Sequence, residues 1–119
     1  MLQLKRVYDS PESADGARIL VERLWPRGLT REQACLAAWE REVAPSPELR
    51  KWYGHVVDRW PEFRRRYSEE LAAADKQGAL WSMADQASRG TVTLVYAAHD
   101  TEHNGAVVLK EYLEEHFPV

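Results

Sequence analysis

Apolar positions along the chain follow two periods. Leu2, Leu4 and the Val7-Tyr8 pair alternate with polar residues and predict a first strand, closed by Asp9-Ser10-Pro11. Ala17 to Leu24 places Ile19, Leu20 and Val21 in succession between Gly16 and Pro26. That run suits a strand or a short helix, and its branched residues and its bounds favour a buried strand. Thr91 to Ala98, apolar and β-branched behind Gly90, is the most strand-like segment.

Helical signals fill the interval. Thr30-Arg31-Glu32-Gln33 has the form of a capping box and predicts a short helix. Leu36 to Val43 fits either a continuation of that helix or an alternating segment around Trp39, Arg41 and Val43. Ser46-Pro47 supplies a cap and a first-turn proline for a helix running through Leu49 and Trp52 to Gly54. From Pro61, Phe63, Tyr67 and Leu71 recur every fourth position on one face. Gly78 is expected to break that helix, and Ala79 to Ser88 to form the next. A polar connector from His99 to Gly105 leads to a last helix striped by Val108 with Tyr112 and by Leu109, Leu113 and Phe117.

A buried strand, a polar loop and an amphipathic helix in that order predict an α/β fold: one compact domain over residues 1–119, with a small, partly parallel sheet flanked by helices. The length of 119 residues suits a single domain, and 45% apolar with 29% charged residues excludes disordered and fibrous classes. No apolar run approaches the roughly 20 residues of a membrane span, so no membrane partner is expected. Met1 to Arg6 alternates like a strand and lacks the order of a signal peptide; the expected compartment is the cytoplasm. Cys35 is the single cysteine, which excludes an internal disulfide and a cysteine zinc cage.

Charge is uneven. Residues 1–66 balance at +3 and residues 67–119 at −6, within a net −3. Eleven of the early cations are arginine, the side chain suited to planar oxyanions. The overall pI near 5.8 disfavours a non-specific nucleic-acid binder.

Ligands of open α/β sheets bind beyond the carboxyl ends of strands, which singles out His99 to Asn104. Asp100 there suits a general base, a ligand contact or the cap of the last helix. His99, Asp100 and His103 fix no third metal ligand by spacing, and no metal site is expected. The bend from Glu22 to Gly28 sets Arg23 and Arg27 around Trp25, a guanidinium pair beside an indole that can hold a phosphate or carboxylate. The plainer account is a tryptophan closing the core, with the arginines bridging acids. His55, just past Gly54, offsets the helix dipole or moves a proton. Arg64-Arg65-Arg66 fans around a helix as solvated surface. Cys35, among Ala34, Leu36 and Ala37, is expected to be a buried, inert thiol. Nucleophile-elbow, dinucleotide and P-loop motifs are absent.

The stretches KRVYD (Lys5–Asp9), ADGARILVERLWPRG (Ala14–Gly28), APSPELRKWYGH (Ala44–His55), RWPEFRRRYSEEL (Arg59–Leu71) and TLVYAAHDTEHNGAVVLKEYL (Thr93–Leu113) resemble the bacterial YeaO-like proteins of the domain of unknown function 488. The resemblance spans nearly the whole chain and implies a single α/β domain without implying a reaction. Larger relatives carry a cysteine-histidine pair where this chain has Asn104-Gly105, so a thiol mechanism is lost at that point. His99 and Gly105 also stand where close relatives commonly carry other residues. The resemblance transfers best to Arg23, Trp25, Arg27, Gly28, Trp52, Gly54, His55, Tyr96, Asp100, His103 and Asn104 as motif positions.

The functional expectation is a small-anion site, for a nucleotide or another phosphorylated metabolite, serving a binding protein or a hydrolase or transferase. Asp100 and His103 would handle protons; Arg23, Trp25, Arg27, His55, Tyr96 and Asn104 would contact the ligand. It requires the Trp25 bend and the late connector to line one cavity. The alternative is a non-catalytic module that meets protein or nucleic acid through the arginine-tryptophan surface. No cofactor is indicated either way.

Overall fold

A computed structural model describes residues 1–117. Four strands, β1 (Leu2–Arg6), β2 (Ala17–Leu20), β3 (Ala38–Trp39) and β4 (Val92–Tyr96), form one sheet in the order β1-β4-β2-β3. Every pairing is parallel, so the sheet is more uniform than the sequence pattern indicates. β4 lies in the middle, and all five of its residues are buried, as expected for a strand covered on both faces.

Register sorts the side chains by face. Leu4, Leu94 and Ile19 align across β1, β4 and β2. They belong to a large core shared with α2 (Pro47–Tyr53), α3 (Trp60–Leu71), α4 (Gln77–Arg89) and α5 (Gly105–His116). The predicted stripes supply it: Phe63, Tyr67 and Leu71 from α3, and Val108, Leu109, Tyr112 and Leu113 from α5 are all buried. Each such aliphatic or aromatic side chain contributes about 1.5–3 kcal/mol when fully removed from water.

The alternate positions face a thinner layer. Val7, Leu20, Val95 and Ala34 form a small second cluster, flanked by Trp25, Leu29, Leu36 and Trp39. Its only α-helix, α1 (Arg31–Ala34), is one turn long, begun by the expected Thr30–Gln33 capping box. At the edge of this layer the Arg18 guanidinium donates to Asp15 Oδ2 at 2.9 Å and to the Ala34 carbonyl at 3.0 Å. Lys5 also reaches Asp15, at 3.1 Å.

Three local expectations are corrected. Cys35 is exposed, because it ends α1 in the left-handed conformation at φ 51° and its side chain turns outward. Gly78 lies inside α4 instead of breaking a helix. The break falls at Ala72-Ala73, where the Gln77 amide donates to the Leu71 and Ala73 carbonyls and ends α3. Leu36 to Val43 is neither a helix nor a full strand: it holds two-residue β3 and then a 3-10 turn at Arg41–Val43.

Candidate functional site

A cavity of about 740 Å³ opens beyond the carboxyl ends of β2 and β4, the central strand pair. This is where loops and helix starts converge in a parallel sheet, and the volume is that of a small-molecule site. Val21 and Glu22 enter it from the end of β2, and Ala97 to Asp100 from the end of β4. Pro45, Pro47, Arg50 and Lys51 form the α2 side, with Tyr53 and Phe63 behind. Asn104, Gly105 and Ala106 bring the start of α5.

Local sequence explains each wall. Ser46 caps α2 by accepting from Leu49 N–H, and Glu70 of α3 receives both the Ser46 amide and hydroxyl, at 2.9 and 2.6 Å. Gly54 closes α2 at φ 52°, and His55 follows in the same left-handed region at φ 58°, exposed at the rim. The start of α5 fits closely because Gly105 has no side chain: a Cβ there would lie 3.2 Å from Pro45 Cγ. Asn104 Oδ1 caps α5 by accepting from Val107 N–H, so the cap is Asn104 and not Asp100. The first amides of α5, those of Gly105 and Ala106, have no acceptor within the helix.

Asp100 instead folds its own loop. Oδ1 accepts from the amides of Glu102 and His103 at 2.9 and 3.0 Å, and Oδ2 lies 2.9 Å from His103 Nδ1. The Glu102 amide and then the His103 contacts hold this carboxyl below the ordinary carboxylate range, despite partial burial. His103 makes no part of the cavity wall; its ring stands edge-on to Trp60 at 5.2 Å. Tyr53 hydroxyl donates to the His103 carbonyl at 3.1 Å, tying α2 to this loop.

The bend after β2 is divided. Arg23 does not line the cavity; its guanidinium donates to the Pro45 and Ala44 carbonyls, both at 3.3 Å, and clamps the cavity's Pro45 wall from behind. Trp25 packs in the thin layer, edge-on to Trp39 at 5.4 Å, with Nε1 donating to the Leu29 carbonyl at 2.6 Å. Arg27 is exposed beside it, its carbonyl accepting from Tyr8 hydroxyl. Tyr96 is buried in the large core at the end of β4. The expectation that the Trp25 bend and the late connector line one cavity is therefore corrected: of that bend, only Glu22 enters. His55, Asp100 and Asn104 are the anticipated residues that it does contain. Among the described residues, no three His, Cys, Asp or Glu side chains converge as a metal set.

Glu22, Arg50 and Lys51 are the cavity's charged groups that sequence reasoning passed over. The strand-end rule applied to β2 as well as β4 singles out Glu22. Glu22 Oε2 accepts the Ala97 amide at 3.0 Å. Burial pushes its carboxyl up from the ordinary range, offset in part by that amide and by the charges of Arg50 and His55. Arg50 and Lys51 are exposed at the end of α2, and among the described residues neither takes part in an ion pair. Other arginines rest on aromatic rings: Arg31 on Trp25 at 4.8 Å, Arg41 on Trp39 at 4.2 Å and Arg66 on Trp52 at 4.3 Å.

Comparison with known proteins agrees with the motifs. A family model described as "Inactive DUF488-N3 subclade" matches residues 1–118. The uncharacterized protein YeaO of Escherichia coli is 46% identical over 113 residues, 94% of this chain and 96% of that protein. Uncharacterized proteins of Mycobacterium tuberculosis and Mycobacterium bovis are each 38% identical over 112 residues, 94% of this chain and 92% of theirs. No solved structure matches. With this coverage and identity, and with the strand-end architecture above, the chain belongs to the YeaO-like proteins of the DUF488 family.

Proposed function

We propose that this protein binds a small phosphorylated molecule in the strand-end cavity and does not transform it. One observation carries the reading: Arg50 and Lys51, without ion-pair partners among the described residues, share a cavity with the unpaired amides that open α5. A helix start favours anions, and two exposed cations suit a dianionic phosphate better than a single carboxylate. His55 and His99 add donors at the same cavity. Asp100 opposes an anion weakly, because its charge is already answered by two amides and His103.

Absence of turnover has separate support. Among the described residues, no serine, threonine or cysteine lines the cavity. Asp100 is committed to its own loop and His103 stands outside, so the carboxylate-imidazole pair expected to move protons does not face the ligand. The subclade's description as inactive is in keeping with this. The reading of the arginine-tryptophan surface as a nucleic-acid interface draws less support, since Arg31, Arg41 and Arg66 already lie on the rings that bases would occupy.

Calorimetric titration of the full chain with inorganic phosphate and ribose 5-phosphate tests the proposal. Arg50→Ala should weaken both about ten-fold, while phosphorus NMR finds the sugar phosphate intact after prolonged incubation. No saturable binding to the wild type, or unchanged affinity in Arg50→Ala, rules out the phosphate site. Release of inorganic phosphate rules out the non-catalytic reading.

A further inference from the structure

We propose that Glu22 sets the specificity of this cavity by accepting a hydrogen bond from the bound molecule, which makes the ligand an organic phosphate that also carries a hydroxyl or amino group. The inference rests on the phosphate-binding reading above and adds the part of the ligand remote from the anion.

Glu22 stands two residues beyond the last residue of β2, where the chain leaves the sheet. Its carboxylate is held in place on one side only, with Oε2 accepting the Ala97 amide at 3.0 Å. Oε1 has no hydrogen-bond partner among the described residues. Yet among them no buried side-chain nitrogen or oxygen lacks one, so Oε1 is an accessible oxygen, on a residue that lines the cavity. No cation closes on this oxygen: Arg50 and His55 act on Glu22 by charge without forming an ion pair. An ionised carboxylate only accepts, so the group that completes Oε1 is a donor. Burial, which pushes the carboxyl up, is the expected companion of a carboxylate lacking a direct cation.

The rest of the cavity agrees with a molecule larger than an inorganic ion. Its volume of about 740 Å³ exceeds what a bare phosphate needs, and Val21, Pro45, Phe63 and Ala98 give it apolar walls. A phosphate held by Arg50, Lys51 and the first amides of α5 leaves Glu22 to the remainder of the ligand, and ionised phosphate oxygens offer a carboxylate no donor. A sugar phosphate supplies both an anion and hydroxyl donors. Charge-assisted bonds of this kind are about twice as strong as neutral ones, and a site built around one discriminates against molecules lacking the donor.

The same two probes decide the matter on the full chain. Wild type should bind ribose 5-phosphate about ten-fold tighter than inorganic phosphate. Glu22→Ala should abolish that preference, so that ribose 5-phosphate and inorganic phosphate bind this variant with the same affinity. Glu22→Gln provides a variant of the same shape: its oxygen can keep the Ala97 bond while its amide nitrogen donates to a ligand hydroxyl, a neutral bond in place of a charge-assisted one, so the preference should fall between those of wild type and Glu22→Ala. Phosphate binding with no preference in the wild type overturns this inference alone, and so does a preference that survives undiminished in Glu22→Ala. Failure of both probes to bind wild type overturns it together with the reading beneath it.

Discussion

Asp15 stands just before β2 and Glu22 just after it, and the fold treats these two carboxyl groups in opposite ways. Asp15 is buried, receives the Glu12 amide, Lys5 and Arg18, and lies in a seam where Thr93 hydroxyl also donates to its carbonyl. Burial pushes its carboxyl up, but those bonds outweigh burial and hold it below the ordinary range. Glu22 keeps one backbone bond and an open oxygen, and its carboxyl is raised. The amino end of the strand is closed by its own residues, whereas the carboxyl end keeps a carboxylate with a single backbone bond at the cavity. A parallel sheet concentrates open chemistry at one end for this reason: helix starts and loops meet there and need not pack on each other.

Removing the cation at the closed end should have the largest effect. Arg18→Ala deletes a 3% exposed guanidinium that bridges Asp15, the Ala34 carbonyl and, at 3.4 Å, the Val7 carbonyl. Breaking a buried pair from one side costs about 3–5 kcal/mol; the remaining Lys5 contact places this case toward the lower value. Urea unfolding should show it as a lowered midpoint. Arg18→Met, which restores apolar volume without charge, should recover part of the loss. A loss under about 1 kcal/mol would mean that the closed end is no more demanding than ordinary surface.

Backbone crowding gives the second test. Gly16 adopts φ 61°, and a Cβ there would lie 2.1 Å from the Thr91 carbonyl oxygen, a backbone atom that cannot swing aside. Gly16→Ala should cost about 2–3 kcal/mol from left-handed strain and overpacking together. At Gly28, φ 72°, nothing lies within 4 Å of the corresponding point, so alanine there meets only the conformational penalty. Equal losses at the two glycines, measured by chemical denaturation, would remove the claim of tight closure before β2.

How much of this was legible in the chain follows the same division. Elements announced by local chemistry were readable: Ser46-Pro47 through Gly54 is α2, and the Leu109-Leu113 stripe is part of α5. The strand-end rule located the His99–Asn104 connector, three of whose residues line the cavity. What failed depended on tertiary direction. Arg23 and Trp25 lie one and three positions after Glu22, yet the bend after β2 sends the indole to the thin layer and the Arg23 guanidinium behind Pro45. Neighbouring residues in an irregular bend share no fixed face, so no periodicity predicts which one enters the cavity. Arg50 was hidden for a related reason: its relevance comes from α2 docking against α3 through Ser46 and Glu70, a contact 24 positions apart. Cys35 misled because apolar neighbours say little about a residue that ends a helix in the left-handed region.

The smallest expected effect bears on the open end and carries a definite sign. Because folding raises the Glu22 carboxyl, the folded chain holds that proton more tightly than the unfolded chain. Its contribution to stability is therefore complete below the ordinary carboxyl range and is lost as pH rises through the raised value. Asp15 runs the other way: its contribution is present above the ordinary range and is lost as pH falls through the lowered value. Glu22→Gln removes the first titration without touching the second. Thermal melting from about pH 8 down to about pH 3 should find Glu22→Gln more stable than wild type at neutral pH. The gap should close in acid, while both proteins weaken together as Asp15 takes up its proton. A Glu22→Gln chain less stable than wild type at neutral pH would mean that the carboxylate is anchored by the fold after all. A gap independent of pH would assign the difference to packing and not to charge. Either result would erase the contrast between the two ends of β2.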